Sequence, residues 1–240
     1  MKRLLIFSIF LLSTGMFSQS VEGSWRLIEE NGRSISEKEV VRIYQDNYFA
    51  EGAKEIATNE FLWAQGGEYT SGDYKITIDF NTKTPELVGT TLDPELTFME
   101  GDKIKINNVK EVQIWERISS EENKLSGNWA ITGRKRNGEM NRMQPGERRT
   151  IKILGGNRFQ WVAFNSATRE FFGTGGGTYS AENGKYIENI EFFSRDNNRV
   201  GANLDFEFEV KEGEWHHSGK SSKGDPIYEI WSPYAQVYSE

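Results

Sequence analysis

The sequence predicts an all-β protein made of two small antiparallel up-and-down β-barrels in tandem, with about eight strands each. The first observation is a repeat: residues 66–101 resemble residues 176–213, and Val88 lies over Val200 at an offset of 112 that continues without a gap. The second is that short strand-like runs alternate with turn residues through both halves. Self-similarity at this length marks a duplicated folding unit. A meander of short strands protects its edges most completely by closing into a barrel.

The first 20 residues are predicted to be a signal peptide and to belong to neither barrel. Residues 2–3 are basic, residues 4–12 are apolar, and residues 13–20 are mostly small and polar. This order is typical of a secretion signal, and its apolar run is too short to span a bilayer. Cleavage after Ser20 or after Ser18 fits the small-residue rule. We therefore expect an exported, soluble protein that is periplasmic or secreted.

Composition excludes several classes of site and partner. The chain has no cysteine, which argues against disulfides, thiol catalysis, cysteine metal sites and the lipid anchor of a lipoprotein. Its 36 acidic residues outnumber its 29 basic ones, which disfavours nucleic acid and anionic lipid as partners. No apolar run after the signal predicts a transmembrane segment. A local basic cluster is either a solvated hairpin or a site for an acidic ligand; it comprises Arg134, Lys135, Arg136, Arg142, Arg148 and Arg149.

The first barrel is predicted over residues 21–120. Gly23-Ser24-Trp25 opens its first strand, and residues 36–41 are a helix-like lead-in. Apolar and polar residues alternate over residues 74–80, which indicates a sheet with one solvated face. Turn residues that tolerate positive φ separate the strands. The predicted strands span residues 25–29, 40–45, 48–53, 60–65, 74–80, 88–92 continuing into 96–99, 103–106 and 112–117.

The second barrel is predicted over residues 124–240, after a polar linker at residues 119–124. Gly127-Asn128-Trp129 repeats the opening of the first barrel. The glycine-rich run at residues 173–177 invites a phosphate-loop interpretation, but such a loop leads into a helix. This run continues into a strand, so we predict a bulge or a closely packed barrel strand. The remaining predicted strands span residues 129–133, 150–154, 158–164, 170–174, 186–193, 200–204 into 206–210, 214–218 and 227–231.

The two Gly-X-Trp openings, the eight-strand meander and a basic residue at the end of the last strand resemble the lipocalin and calycin barrels. More narrowly, the ordered set of motifs (GGxY, YxxxIxF, VG, EG and W), which occurs twice, resembles the lipocalin-like domain of unknown function found in secreted bacterial proteins. The resemblance implies the fold and at most small-molecule binding. It carries no activity, because one fold serves many functions.

The same resemblance implies how each barrel closes. In the family, a basic side chain near the last strand packs across the tryptophan of the first strand. Arg117 is placed to do this over Trp25. In the second copy Pro233 aligns with Arg117, so Trp129 lacks a basic partner and the closure of that barrel is left open.

The sequence offers little for catalysis, which needs a poised acid, base or nucleophile. His216 and His217 are the only histidines, and as neighbours on a strand they point to opposite faces. The offset of 112 places His216 over Ile104, a core position. His216 is therefore either an inward ligand for haem or a metal, or a histidine at a barrel rim or surface. No metal-ligand spacing and no Gly-X-Ser-X-Gly elbow occurs, so we predict no catalytic residue, no metal and no cofactor.

Aromatic side chains are the remaining functional signal, and they either fill two small cores or line a pocket. Glu188 stands where the first copy has Ile76, and an inward carboxylate is costly unless it is paired. Pairing with Arg158 or Arg169 would make Glu188 structural. The candidate interior residues are Trp63, Tyr69, Phe98, Trp161, Tyr179, Glu188 and Phe208; barrel closure is assigned to Trp25, Arg117 and Trp129.

These features lead to three functional hypotheses. The first is an exported, non-enzymatic protein that binds a small apolar or amphipathic ligand inside a barrel. The second is an envelope module with filled barrels that binds another protein through its surface. The third is a haem protein or a calycin-type enzyme that uses His216. Interior volume distinguishes the first two, because a core packed to normal density has no room for a ligand.

Overall fold

The computed structural model describes residues 20–221 and 223–238. Apart from Ser20, the predicted signal peptide lies outside these residues. The described chain forms two antiparallel sheet units, so the all-β prediction is confirmed. Within the described ranges, no helix is long and apolar enough to cross a membrane.

The first unit is a curled sheet in which neighbouring strands mostly follow one another in the chain. Its order is β7-β6-β5-β4-β3-β1-β10-β9-β8, with β2 paired to β1. The strands are β1 Gly23–Glu30, β2 Arg33–Ser34, β3 Lys38–Gln45, β4 Tyr48–Glu55, β5 Phe61–Tyr69, β6 Ile76–Asn81, β7 Thr91–Leu92, β8 Glu95–Met99, β9 Lys103–Asn107 and β10 Val112–Ser119.

The first unit does not close into a barrel, and here the prediction of two closed barrels is wrong. Its end strands β7 and β8 follow each other in the chain, but β7 pairs with β6 while β8 pairs with β9. Asp93 and Pro94 separate them, and proline has no N–H to give to a ladder. Tyr74, which precedes β6, also leaves the strand conformation with a φ of 52°. The result is a half-barrel with a seam at Pro94.

The second unit does close. Eight strands form its ring, because β11 pairs with both β13 and β19; β12 forms a hairpin with β11. The strands are β11 Gly127–Arg136, β12 Glu139–Arg142, β13 Arg148–Gly155, β14 Arg158–Asn165, β15 Glu170–Glu182, β16 Lys185–Phe193, β17 Asn203–Lys211, β18 Glu214–Lys220 and β19 Pro226–Pro233; a short helix, α1 Tyr234–Tyr238, follows.

The tryptophan of each first strand is held in the same way in both units. Trp25 Nε1 donates to the Val21 carbonyl oxygen at 2.6 Å, and Trp129 Nε1 donates to that of Leu125 at 2.9 Å. The Arg117 guanidinium lies 4.1 Å from the centre of the Trp25 ring, as the resemblance implied. Yet the unit with this contact is open and the unit without it is closed. The strand β1 pairs with β10 just as β11 pairs with β19, so neither this pairing nor the arginine decides closure. The units differ at β17, which pairs with both β16 and β18, whereas β7 and β8 are separate strands.

One local prediction is wrong, one short helix was not predicted, and one prediction is confirmed. The lead-in predicted as helix-like at residues 36–41 runs into strand β3, where the β-branched Val40 and Val41 favour extended backbone. The helix α1 was not predicted. The glycine-rich run at residues 173–177 lies inside β15 with a register shift at Gly176 and Gly177, so the prediction of a bulged strand is confirmed.

Bulges at equivalent glycines reshape one strand in each unit. The register of β5 and β6 shifts at Gly66 and Gly67, and a Cβ on Gly67 would lie 1.9 Å from the Thr77 carbonyl oxygen. The extra residue moves Phe80 out of the interior face on which alternation placed it. Phe80 instead packs in a third core between the two units, with its ring 5.1 Å from that of Phe164.

This third core joins the outer faces of the two sheets. It contains apolar side chains from β3 to β6 of the first unit and from β11, β13 and β14 of the second, together with Tyr234 of α1. Tyr234 donates to Glu68 Oε1 at 3.0 Å. The faces that the repeat pattern predicts to be solvated are therefore buried where the units meet: Ile43, Tyr48, Ala50, Ala64, Phe80, Ala130, Ile151, Ile153, Val162, Phe164 and Tyr234.

The bulge glycines give the first testable prediction. Gly67→Ala or Gly177→Ala places a methyl group 1.9 Å from a backbone oxygen, so each should lower the free energy of unfolding by at least about 2 kcal/mol. Gly72→Ala is the matched control, because its Cβ meets nothing within 4 Å. Urea unfolding followed by tryptophan fluorescence measures all three. Equal stability of the three variants would contradict this account.

Candidate functional site

The interior of the first unit holds a cavity of about 520 Å³. Strands β1, β3 to β6, β9 and β10 surround it, and the segments around Thr84, Pro94 and Val109 form its mouth. The apolar part of the wall is mainly aliphatic, because β1, β3, β6 and β9 carry Leu, Val or Ile at inward positions. The strands β4 and β5 contribute an aromatic and a polar side chain each. The apolar lining residues are Leu27, Val40, Phe49, Ile76, Ile78 and Ile106, with Leu87 and Leu92 nearer the mouth.

A buried ion pair lies along one wall of this cavity. Arg42 and Glu51 are direct partners across β3 and β4, and they are only 5% and 2% exposed. Arg42 Nε and Nη2 donate to Glu51 Oε2 at 2.9 and 2.5 Å. Because neighbouring strands supply the two residues, the pair lies flat against the wall and leaves the lumen free.

Three polar side chains extend this pair toward the mouth. Trp63 Nε1 and Gln65 Nε2 donate to Glu51 Oε1 at 3.1 and 3.0 Å. Asn81 Nδ2 donates to Gln65 Oε1 at 3.0 Å, and Asn81 Oδ1 accepts from two backbone N–H groups just beyond β6. Glu51 thus receives four hydrogen bonds, which compensates its burial. The cavity has a polar stripe on an otherwise apolar wall.

Charged side chains gather at the mouth. The ammonium groups of Lys38 and Lys83 lie 5.0 and 4.6 Å from the Trp63 ring centre. Glu30 accepts from Lys38 Nζ at 3.0 Å. Burial and the neighbouring Glu30 carboxyl raise the pKa of Glu111 to about 7. Glu111 and the ion pair with Lys38 lower the pKa of Glu30, so the two neighbouring carboxyl groups shift in opposite directions.

The second unit places a cation at the equivalent point but neutralises it differently. Lys152 lies opposite Trp129 as Arg42 lies opposite Trp25. Its Nζ is 2.6 Å from Glu188 Oε1. β14 and β15 lie between the strands of this pair in the sheet order, so the ion pair crosses the lumen.

Glu188 is therefore inward and structural, as one alternative held. Tyr186 also donates to it, at 2.9 Å. The expected partners were wrong: Arg158 pairs with Glu191 instead, and Arg169 lies in the turn before β15 with a φ of 60°. Sequence alone does not show which inward residues face each other across a barrel.

Larger rings occupy the rest of this interior. The strand pairings equate Trp215 with Ile104, His217 with Ile106, and Trp161 with Glu51. Phe206 stands where the first unit has Pro94. The rings of Tyr186, Phe206, Trp215, Trp231 and His217 contact one another. The volume that forms a cavity in the first unit is packed with aromatic side chains in the second.

The sequence-based placement of His216 at an inward position is wrong by one residue. The turn between β8 and β9 has three residues and that between β17 and β18 has two, so the offset falls from 112 to 111 after it. A shift of one residue exchanges the two faces of a strand. His217, which is 2% exposed, is the inward histidine; His216 lies on the other face, with its Nδ1 2.9 Å from the Tyr228 hydroxyl.

His217 is held as a neutral, buried side chain. Burial lowers its pKa, and its Nδ1 lies 3.4 Å from Glu229 Oε2. Burial alone would raise the pKa of Glu229, but His217 and the cations Arg134 and Lys152 lower it to about 2. Trp231 Nε1 also donates to this carboxylate at 3.2 Å. Glu229 therefore stays ionised within a structural network.

The predicted interior residues divide between the two units. Trp63 lines the cavity, whereas Tyr69 and Phe98 belong to the surrounding first core. Trp161, Tyr179 and Phe208 pack in the second core. Sequence reasoning missed the polar lining, although alternation carries a signal for it: Arg42 shares the inward face of β3 with Val40 and Tyr44, and Glu51 shares that of β4 with Phe49 and Ala53.

Four of the six residues of the basic cluster lie on the β11–β12 hairpin, and two of these four form ion pairs. Asn137 and Gly138 form the turn of the β11–β12 hairpin, both with positive φ. Arg142 makes two hydrogen bonds to the Glu214 carboxylate, at 2.7 and 2.8 Å. Arg134 pairs with Glu229 at 2.7 Å. These contacts favour the hairpin interpretation over a site for an acidic ligand.

Comparison with known proteins gives no identification. Neither a protein-family model nor a curated protein sequence matches the chain.

The buried ion pair leads to a prediction about stability. Arg42→Met leaves the Glu51 carboxylate buried without its cation, so the free energy of unfolding should fall by about 3–5 kcal/mol. Arg26→Met is the matched control, because the Arg26–Glu116 pair is half exposed and should change stability by less than about 1 kcal/mol. Urea unfolding measures both. A loss as small as that of the control would contradict a stabilising role for Arg42.

A second prediction concerns pH. The pKa of Glu111 is raised in the folded state from an ordinary 4.5 to about 7, so its stabilising contribution is complete below about pH 4.5 and is lost as pH rises through about 7. Glu111→Gln keeps the group neutral. We expect the variant to gain stability over the natural protein between about pH 5 and about pH 8. Thermal unfolding across this range tests it, with Glu116→Gln as the control that should show no such gain.

Proposed function

We propose that this protein is an exported, non-enzymatic binding protein that holds one small amphipathic molecule in its first unit. The observation that carries the proposal is the cavity of about 520 Å³ with an aliphatic wall and one polar stripe. Small-molecule sites commonly enclose about 300–1,000 Å³ and combine an apolar lining with a few polar groups. The cavity has both properties.

The arrangement of polar groups in the cavity favours ligand binding over catalysis. Glu51 is fixed by four hydrogen bonds, two of them from Arg42, so its lone pairs are occupied and it is a poor base. The aliphatic wall suits the apolar part of a ligand, and the charged mouth suits a polar end. We also propose that both units are of the lipocalin-like type, on the strength of the Gly-X-Trp openings and the Arg117–Trp25 contact.

A different function is proposed for the second unit, because its interior is filled by aromatic rings and by the Lys152–Glu188 pair. A packed interior leaves the surface as its means of recognition. The second unit is thus the part of the chain to which the alternative of an envelope protein-interaction module applies. Its contribution to ligand binding is to support the wall of the first unit through the third core.

The binding proposal is tested with the neutral fluorescent probe N-phenyl-1-naphthylamine. We expect one probe per chain, and we expect Ile106→Phe, which adds a ring inside the cavity, to weaken binding at least about tenfold. Leu62→Phe is the matched control, because Leu62 is exposed and does not line the cavity. Circular dichroism confirms that each variant is folded, and Trp63→Phe provides a second cavity variant.

Two results would contradict the proposal. One is equal probe binding by the natural protein and both cavity variants, which would place the probe elsewhere. The other is native mass spectrometry of protein from its own host that shows only the apo mass, together with no probe binding. That combination would favour the interaction module for the whole chain.

A further inference from the structure

Two carboxyl groups meet at the mouth of the cavity because of how β1 and β10 pair. Glu30 ends β1 and lies opposite Gln113. Beyond it, the Asn31 N–H donates to the Val112 carbonyl oxygen at 2.8 Å, and Asn31 Oδ1 accepts from the Val112 N–H at 2.9 Å. This two-way link fixes the Glu111 backbone next to Glu30. Both side chains line the cavity.

The nearby lysines do not neutralise the two carboxyl groups equally. Lys38 of β3 pairs with Glu30 at 3.0 Å, whereas burial and the neighbouring Glu30 carboxyl raise the pKa of Glu111 and Gln113 lowers it. Lys83 acts on both carboxyls from a distance while its ammonium lies against Trp63. Asp93 and Lys110 complete the charged groups of the mouth, and Arg42 and Glu51 neutralise each other deeper in the cavity.

Two neighbouring half-buried carboxylates repel each other, and a positive charge between them relieves the repulsion. Lys38 serves Glu30, whereas Glu111 has no ion pair among the described residues, and burial together with Glu30 raises its pKa. A ligand that brings its own positive charge to this point would displace the Glu111 proton and satisfy both carboxylates. A ligand with an anionic end would be repelled by the two carboxylates.

We propose that the cavity binds a hydrophobic amine, with its apolar body against the aliphatic wall and its protonated amine between Glu30 and Glu111. This inference rests on the proposed binding function and specifies the ligand class. Its consequence is that amine binding at neutral or lower pH releases a proton from Glu111. The pKa of Glu111 near 7 makes this coupling measurable close to physiological pH.

Calorimetry with three ligands of equal chain length provides the test: decylamine, 1-decanol and decanoate. Decylamine should bind about tenfold more tightly at about pH 8 than at about pH 6, because a group of pKa about 7 is mostly deprotonated at the higher pH and mostly protonated at the lower. At about pH 6 the heat in buffers of different ionisation enthalpy should show release of one proton. Decanol should bind equally at both pH values.

Two carboxyl-to-amide variants test the role of the carboxyl pair. Glu111→Gln should lower decylamine affinity to that of decanol measured on the same variant, and it should remove the pH dependence of decylamine binding. Glu116→Gln is the matched control, since Glu116 lies on the adjoining strand β10 outside the cavity and pairs with Arg26. It should preserve the preference for the amine.

The possible outcomes distinguish failure of the amine assignment from failure of the proposed binding function. Decanol binding with no preference for decylamine at either pH overturns the amine assignment and leaves the binding function standing. Tighter binding of decanoate than of decylamine overturns it as well. Failure of all three ligands to bind overturns both proposals.

Discussion

Each unit carries a buried cation on its third strand (β3 and β13), and the two units differ in where the neutralising carboxylate comes from. In the first unit the neighbouring strand supplies Glu51, so the ion pair with Arg42 lies along the wall. In the second unit Glu188 comes from β16 on the far side, so the pair with Lys152 spans the lumen. A buried charge without a partner is too costly to keep. In the second unit aromatic side chains pack around the Lys152–Glu188 pair, whereas the first unit encloses a cavity beside its pair.

The strands could be predicted because their signals are local, whereas sheet closure could not. Alternation and turn residues identify most strands of both units. Closure depends on whether two distant strand edges meet, and a single residue decides this: Pro94 interrupts pairing where Phe206 continues it. Phe80 was placed on the wrong face because a bulge adds one residue to the strand. A turn shortened by one residue misplaced His216 in the same way. Period-two reasoning is reliable only between such insertions.

The candidate site was harder to predict than the fold, because the role of each site residue depends on the residues that it contacts in space. Trp63 could be named from its aromatic character. Arg42 and Glu51 looked like ordinary charged residues of a half-solvated sheet, although both share an inward face with apolar neighbours. No sequence pattern singles out Glu111 as a site residue. Its significance arises from the link between Asn31 and Val112, which connects positions far apart in the chain. Burial and partner geometry, unlike strand propensity, are not local properties of a sequence.

The packing of the two units also bears on the route by which the proposed ligand would reach the cavity. Strands β3 to β6 form much of the cavity wall, and their outer faces are buried in the third core against the second unit. That part of the wall is therefore held rigid. The opposite side carries the seam at Pro94 and the turn at Val109, whose side chain is fully exposed, and both border the mouth. The turn at Val109 is the more exposed of the two, and exposed turns with few packed side chains open at low free-energy cost. The carboxyl pair Glu30–Glu111 stands on this same rim, where any ligand that enters must pass it.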